Sequence, residues 1–276
     1  LQADYPDALL VAEAWAPIDI AETYYGNGDE VQLGFSFDLA DAIKTAVAAG
    51  NASLILSTLG HLDDVLSTKD RGYDAPFLSN HDQVRVMRAL SGDAPAARVS
   101  AALLFALPGT PFIYYGEELG MQGGPGSDDR NKRTPYRWDA GPGHGFTTGS
   151  PWYDATEAAG VDLATEQADP GSLWNLYRKL IALRHGQTPL SKGSIDLPNL
   201  TGTPAGVMAL VRTDSGKQVL FVANVGTAGA TTFTVPVTSS TPTVLLQEGL
   251  DGGPTAGAGS VTIPGLDARG FVYLSL

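Results

Sequence analysis

Short apolar runs alternate with longer segments of helical periodicity through the first two thirds of the chain. Each run is short and continuous, which is typical of a strand buried on both faces of a parallel sheet. We predict four such strands, at residues 9–12, 33–37, 75–79 and 111–115. Because predicted helices follow the second, third and fourth runs, the pattern predicts strand–helix units of an α/β fold.

Helices are predicted at residues 39–49, 52–66, 84–90, 94–106 and 172–185. In the last of them the apolar residues lie on a single face at helical spacing. Asp38 is a predicted cap for the first of them, and Gly50 a predicted end. Asp169 followed by Pro170 predicts the start of the last helix, and Gly186 its end. Residues 116–168 form a long excursion rich in Gly, Pro, Asp, Arg and Trp. A loop of this length in a compact domain indicates a functional role.

Beyond Pro189 the pattern changes to short β-rich runs separated by Gly, Thr, Ser and Pro, such as VLFVANV, TTFTV and GFVYLSL. Runs of this kind without helices predict an all-β sandwich. We therefore expect two domains, residues 1–187 and 188–276. The second contains no carboxylate pair or histidine cluster, so we interpret it as a stabilising or glycan-binding accessory domain.

Two of the predicted strands end in acidic side chains. Glu13, with Trp15 nearby, follows the first strand, and the third ends in FLSNHDQ, which contains Asn80, His81 and Asp82. The carboxyl ends of parallel strands meet at one edge of the sheet, so we expect Glu13 and Asp82 to face one cleft. An acid beside an indole in a half-closed cleft has a raised pKa and can protonate a leaving group. Paired carboxylates of unequal pKa carry out glycoside hydrolysis.

At these motifs the chain resembles a known family. LLVAEAW resembles the general-acid motif, and FLSNHD the transition-state-aspartate motif, of the α-amylase family of glycoside hydrolases. The R-T-P-x-x-W-D pattern followed by GFTTGSPW is similar to oligo-glucosidases and their close amylase relatives. The resemblance implies that Glu13 is the general acid and that Asp82 stabilises the transition state. It also implies that His81 donates a hydrogen bond to a sugar hydroxyl.

Four further residues are candidates for substrate binding: Asn80, Trp15, Arg130 and Arg133. A guanidinium above an acidic cleft can hold carboxylates in place and reach sugar hydroxyls. Structural alternatives stay open at this point. Asp82 would also suit the N-cap of a helix starting in QVRVMRAL, and the two arginines would also suit a salt-bridge network that orders the excursion.

Compared with the family that it resembles, the chain is expected to lack half of the barrel and the nucleophile. A barrel of eight strand–helix units needs about 250 residues, and only four units are predicted here. The family's nucleophile motif, resembling G-F-R-x-D, does not occur in the sequence. We therefore expect the carboxyl-terminal half of a (β/α)8 TIM barrel, strands five to eight. The amino-terminal half would be a second polypeptide that supplies the nucleophile, and this chain alone would be inactive.

The expected activity is retaining hydrolysis of α-glucosidic bonds in starch or malto-oligosaccharides. One alternative is an α-glucosidase or transglycosylase acting on short α-glucosides, because the same catalytic apparatus serves both. Another is a non-catalytic relative that acts as a binding module. The presence of Glu13, His81 and Asp82 together argues against that second alternative.

The composition of the chain excludes some classes of binding partner and cofactor. A net charge of −13 and a pI of about 4.5 disfavour nucleic acid and anionic membranes. The absence of cysteine excludes disulfides and thiolate metal sites, and the histidines show no metal-binding spacing. We expect no metal or other cofactor in this chain, and the resemblance assigns any Ca²⁺ site to the missing half. The start LQADYPDALL has no signal-peptide pattern and suggests a trimmed polypeptide. We expect a bacterial protein that is secreted or periplasmic, and a cytoplasmic location stays open.

Overall fold

A computed structural model of the chain describes residues 4–5, 7–26, 30–66, 74–153, 157–238 and 241–276. Its first part alternates strands and helices, as predicted. Three short strands form a parallel sheet in the order β1-β2-β3: β1 (Val11–Ala12), β2 (Leu33–Phe35) and β3 (Asp74–Ala75). A parallel bridge between Phe77 and Phe112 continues the sheet. The fourth predicted strand is thus reduced to a single bridge, although its place in the sheet agrees with the prediction.

The helices surround this sheet. They are α1 (Ile18–Ala21), α2 (Phe37–Ala49), α3 (Ser53–Leu66), α4 (Val86–Ala89), α5 (Ala94–Ala106), α6 (Asp129–Lys132), α7 (Leu163–Ala168), α8 (Leu173–Gly186) and α9 (Thr188–Lys192). In the described part of the chain, 3₁₀ turns lie at Glu22–Tyr25 and Pro142–Gly145. Among the described residues, no helix is both long and apolar enough to cross a membrane.

Two predicted helix caps were wrong. Ser36 occupies the N-cap of α2, and Asp38 instead accepts a hydrogen bond at 3.0 Å from the backbone N–H of Ile18. Ser172 caps α8 by accepting from the N–H of Asn175 at 3.1 Å. Asp38 therefore lies inside the first turn of α2, and Asp169 accepts from the N–H of Gly171 at 2.8 Å. The predicted end at Gly50 is confirmed, because this glycine is left-handed with φ 68°.

Helix α5 is the most buried helix of the first part, and its predicted bounds are confirmed. Asp93 caps its start by accepting from the N–H of Ala96 at 3.0 Å. At its other end, buried Arg184 of α8 donates to the carbonyls of Phe105, Leu107 and Gly109 at 2.5–2.8 Å. Arg212 donates to the carbonyl of Ala106 at 2.8 Å. Two arginines thus satisfy carbonyls that a helix end leaves without partners.

The second part is one curled antiparallel sheet. It consists of β4 (Ser194–Asp196), β5 (Val207–Asp214), β6 (Lys217–Asn224), β7 (Ala230–Pro236), β8 (Thr243–Leu250), β9 (Thr255–Gly257) and β10 (Ser260–Ser275). The first part of β10 pairs with β7 and its last part with β6. Its pairing with β8 shifts register between Leu266 and Phe271, where Arg269 has φ 61°. This irregularity lets one strand serve both sides of the curl, so the predicted pair of separate sheets is not confirmed.

The two faces of the curled sheet have different partners. Met208 and Leu210 of β5 belong to the large core formed with the helices. Val207, Ala209 and Val211 point the other way, into a second core with side chains of β7 and β10. Strand alternation explains this division, since successive side chains face opposite sides. Because one core runs from the helices into the sheet, the division at residues 187 and 188 stays a prediction.

Both edges of the parallel sheet expose apolar side chains. Leu9, Leu10 and Val11 lie at the β1 edge, and Ile113 and Tyr115 lie beyond the Phe77–Phe112 bridge. In the part of the chain that the structure describes, neither edge pairs with a further strand. Unpaired edges with apolar side chains are surfaces that add strands readily.

Replacing Arg184 by alanine should destabilise the fold by roughly 3 kcal/mol, because it leaves buried carbonyls at the end of α5 without donors. Chemical denaturation followed by circular dichroism measures this difference. Arg178→Ala is the matched control: it lies on the same helix, is exposed, and should change stability by about 0.5 kcal/mol or less. Equal losses in both variants would contradict the capping role.

Candidate active site

The structure brings the three predicted catalytic residues together. One carboxylate oxygen of Glu13, one ring nitrogen of His81 and one carboxylate oxygen of Asp82 lie within 4.8 Å of one another. Glu13 follows β1, whereas His81 and Asp82 follow the strand segment that contains Phe77, so they reach one place from strands that are not adjacent. The expectation that both acids face one cleft therefore agrees with the geometry.

A tight turn presents His81 and Asp82. The side-chain oxygen of Asn80 accepts a hydrogen bond from the N–H of Asp82 at 3.0 Å, and the N–H of Gln83 donates to the carbonyl of Asn80 at 3.4 Å. The Asn80 oxygen is thus used to shape the turn, and its contact with substrate stays a prediction. Helix α4 begins later, with Arg85 at its N-cap. The alternative interpretation of Asp82 as a helix cap was therefore wrong.

Arg133 holds this turn from above. Its Nη2 lies 2.5 Å from Asp82 Oδ1 and 3.0 Å from Asp129 Oδ2, and its Nε donates to the carbonyl of His81 at 3.1 Å. The hydrogen bond to Asp82 raises the pKa of Arg133, which keeps the guanidinium charged at any working pH. His81 Nε2 lies 3.3 Å from the second oxygen of Asp82. Both carboxylate oxygens of Asp82 are thus held in position.

Arg130 lies outside this cluster. It pairs with Asp128 at 3.3 Å, and its guanidinium lies 5.7 Å from the ring centre of Tyr153. These contacts order the excursion, which was the structural alternative for the arginines. Of the two candidates, Arg133 alone is joined to Asp82 among the described contacts.

The cleft is more open than expected. Glu13 is exposed, and Trp15 is 60% exposed with its ring stacked on Phe37 at 4.9 Å. A groove of about 850 Å³ lies beside it, with Trp15, Lys44, Asp82 and Gln83 in its walls. The described residues therefore do not form the half-closed cleft that we expected around Glu13. A barrel mouth is built from eight loops, whereas this sheet supplies those of four strands.

The donor atoms of Glu13, His81 and Asp82 are close enough to touch one metal ion. However, Glu13 and His81 are exposed, and Asp82 is already held by Arg133 and His81. We assign no metal to this cluster.

Glu117 is a buried carboxyl group beside the site that the sequence did not lead us to expect. It is fully buried and accepts hydrogen bonds from the hydroxyls of Tyr177 at 3.1 Å and Ser79 at 3.3 Å. Burial raises its pKa to about 8, so it is largely protonated at neutral pH. The signal that identified Glu13 was also present here, because Glu117 follows the apolar run FIYY with only Gly116 between.

The family model for the α-amylase catalytic domain matches residues 1–193. The chain belongs to the α-amylase family. It is 35% identical over 200 residues to Alpha-amylase 3 of Dictyoglomus thermophilum, covering 71% of this chain and 39% of that relative. It is 30% identical over 241 residues to an oligo-1,6-glucosidase of Heyndrickxia coagulans, covering 69% of this chain and 43% of the relative. The chain thus spans about four tenths of the length of these curated relatives.

Solved structures of α-amylases also resemble this chain. The crystal structure of the α-amylase from H. orenii superposes with a TM-score of 0.79 at 26% identity, covering 97% of this chain and 53% of that one. Because the match extends over nearly the whole chain, it includes the curled sheet as well as the strand–helix units.

We consider the enzyme assembled from this chain and the expected amino-terminal half. Replacing Arg133 by lysine in this assembled enzyme should lower kcat about tenfold or more. Lysine keeps the charge but cannot bind Asp82 and the His81 carbonyl with one planar group. Steady-state kinetics on a soluble α-glucan measures the loss. Arg130→Lys, three residues before Arg133 in the same motif and outside the cluster, should have a smaller effect. The reverse order would contradict the assignment of Arg133 to the site.

Proposed function

We propose that this chain carries the general acid and the charge-stabilising residues of a retaining glycoside hydrolase that cleaves α-glucosidic bonds of starch or malto-oligosaccharides. The convergence of Glu13, His81 and Asp82 within 4.8 Å is the observation that carries the proposal. Membership of the α-amylase family and the similarity to α-amylases and oligo-1,6-glucosidases support it.

Each residue has a role that follows from its chemistry. Glu13 protonates the glycosidic oxygen as the leaving group departs. Asp82 accepts hydrogen bonds from sugar hydroxyls, and these bonds strengthen as positive charge develops on the ring. His81 donates to a hydroxyl of the same ring, while Arg133 fixes the orientation of Asp82. Trp15, exposed at the groove, offers a flat face on which a sugar ring can stack.

The nucleophile comes from the amino-terminal half of the barrel, which we propose as the partner of this chain. Two observations support this: both edges of the parallel sheet are unpaired among the described residues, and they expose apolar side chains. Four further strand–helix units would pair with both edges and close the cleft over Glu13. Any Ca²⁺ would then be bound by that half.

The similarity to oligo-1,6-glucosidases favours one second candidate, an α-glucosidase or transglycosylase that acts on short α-glucosides. The loops that set substrate length lie partly outside this chain, so both activities use the same residues. Product analysis distinguishes them. Internal cleavage of a long malto-oligosaccharide gives mixed products early, whereas an exo-acting enzyme releases glucose first.

Replacing Glu13 by glutamine in the assembled enzyme should reduce hydrolysis of α-glucans by about 10²-fold or more, in line with the loss of a general acid. Glycosyl fluorides should be affected less in the first step, because fluoride leaves with little protonation. Comparing kcat/KM for both substrate classes measures the difference. Equal losses for both classes would indicate a structural role for Glu13.

Mixing this chain with the amino-terminal half should give turnover that neither part shows alone. If the nucleophile lies about 5–5.5 Å from Glu13, hydrolysis retains configuration and the α-anomer appears first. Proton NMR of early product measures the anomer directly. Initial β-anomer would exclude the retaining mechanism, and full activity of the 276-residue chain alone would exclude a partner-supplied nucleophile.

A further inference from the structure

A buried carboxyl group lies beneath the candidate active site. Glu117 opens the excursion of residues 116–168, and it contacts the strand end through Ser79 and helix α8 through Tyr177. Ser79 is the residue immediately before Asn80, His81 and Asp82. Glu117 therefore connects the catalytic turn to the helical layer behind it, without reaching the surface where substrate binds.

We propose that Glu117 is a positioning residue, which fixes the turn carrying His81 and Asp82 through Ser79 and anchors it on α8 through Tyr177. This inference rests on the proposed function, because it concerns the same site. It adds a residue to that site which touches neither the substrate nor the reacting atoms.

Tyr177, which holds Glu117 on helix α8, is itself fixed by packing. Tyr177 is buried, and its ring packs edge-to-face against Phe105 of α5 with ring centres 5.8 Å apart. Helix α5 is itself buried along most of its length. A hydrogen-bonded path thus runs from α8 through Glu117 to Ser79, and each of these three side chains is buried.

The excursion is joined to the turn at two points. Glu117 lies at the beginning of the excursion and contacts Ser79, the buried residue just before the turn. Arg133 lies further along the excursion and contacts His81 and Asp82 in the turn itself. The turn lies between these contacts. Losing the contact between Glu117 and Ser79 would let the turn shift relative to Glu13, which follows a different strand. A displacement of about 1 Å at a catalytic group can lower turnover by about 10²-fold.

Burial and the hydroxyl contacts act on the pKa of Glu117 in opposite directions: burial raises it, and the hydrogen bonds from Tyr177 and Ser79 lower it. The groups that face it are the hydroxyls of Ser79 and Tyr177 and the carboxylate of Glu118, and no salt bridge of Glu117 occurs among the described residues. Burial is the main cause that raises its pKa, to about 8 from a usual 4.5. Its contribution to stability is fully present below about pH 4.5 and is lost as the pH rises through about 8. Because an ionised carboxylate is costly to keep buried, we expect the packing around Glu117, including the turn, to loosen on the alkaline side.

The experiment compares variants of the assembled enzyme on a soluble α-glucan, with kcat and KM measured between about pH 5 and pH 9. Ser79→Ala removes the contact with the turn while leaving a small buried side chain. It should lower kcat about five- to tenfold with KM within about twofold, the loss expected for one buried hydrogen bond. Glu117→Ala should lower kcat further, by about 10²-fold.

Glu117→Gln tests the protonation. Glutamine can still bond both hydroxyls but cannot ionise, so it should restore most of the turnover lost in Glu117→Ala. It should also remove the part of the alkaline fall in kcat that lies near about pH 8. The matched control is Glu166→Gln, since burial also raises the pKa of Glu166 and this residue contacts the start of α8 at Trp174. Glu166 does not contact Ser79, so its variant should keep the alkaline fall.

The thermal midpoint of each variant, measured over the same pH range, provides a readout independent of turnover. Glu117→Gln should flatten the fall of the midpoint between about pH 5 and pH 8. The inference is overturned if Ser79→Ala and Glu117→Ala keep native kcat, or if they raise KM alone. An unchanged alkaline limb in Glu117→Gln would also overturn it. Failure of the proposed function would appear differently, as α-glucan turnover that survives Glu13→Gln.

Discussion

The structure depends on how the end of helix α5 is held. This helix is almost entirely buried, so the carbonyls at its end cannot be hydrated and need protein donors. Arg184 from α8 and Arg212 from β5 supply them, one from the helical layer and one from the curled sheet. Burial lowers the pKa of Arg184 to about 10, which leaves it charged at neutral pH. The two arginines therefore fix α5, α8 and the sheet relative to one another at one point.

Other contacts extend the same arrangement. The hydroxyl of Tyr273 on β10 donates to the carbonyl of Ala102 in α5, and Arg98 of α5 pairs with Glu248 of β8. Arg269, in the irregular part of β10, donates to the carbonyl of Val47 near the end of α2. The curled sheet thus contacts helices α2 and α5, and none of these contacts involves Glu13, His81 or Asp82. This separation lets the sheet stabilise the fold without entering the site.

The helical layer in turn supports the chemistry. Tyr177 stands on α8, the helix that also carries Arg184, and it hydrogen-bonds Glu117 under the turn with Asp82. Arg133 holds the same turn from the excursion. Under the proposed function, the geometry of the site therefore depends on buried polar contacts behind the turn as well as on the exposed Glu13 and His81. The exposed apolar edges of the parallel sheet, with Val11 on one side and Ile113 on the other, indicate where the proposed amino-terminal half would complete the barrel.

The sequence alone determined the order of the strands and helices, the bounds of α5, and the family, because these depend on local periodicity and on motifs that are contiguous in the chain. It also predicted that Glu13 and Asp82 face one cleft with His81 beside Asp82, since both acids follow apolar runs, and the structure brings the three residues together. The tertiary structure decided what depends on distant partners. The excursion brings Arg133 to Asp82 and leaves Arg130 at Tyr153, although both belong to one short motif. Burial of Glu117 by α8 makes it an acid of raised pKa, and β10 bends to join both sides of one sheet. Neither burial nor strand bending is visible in local sequence, because both arise only when remote segments pack together.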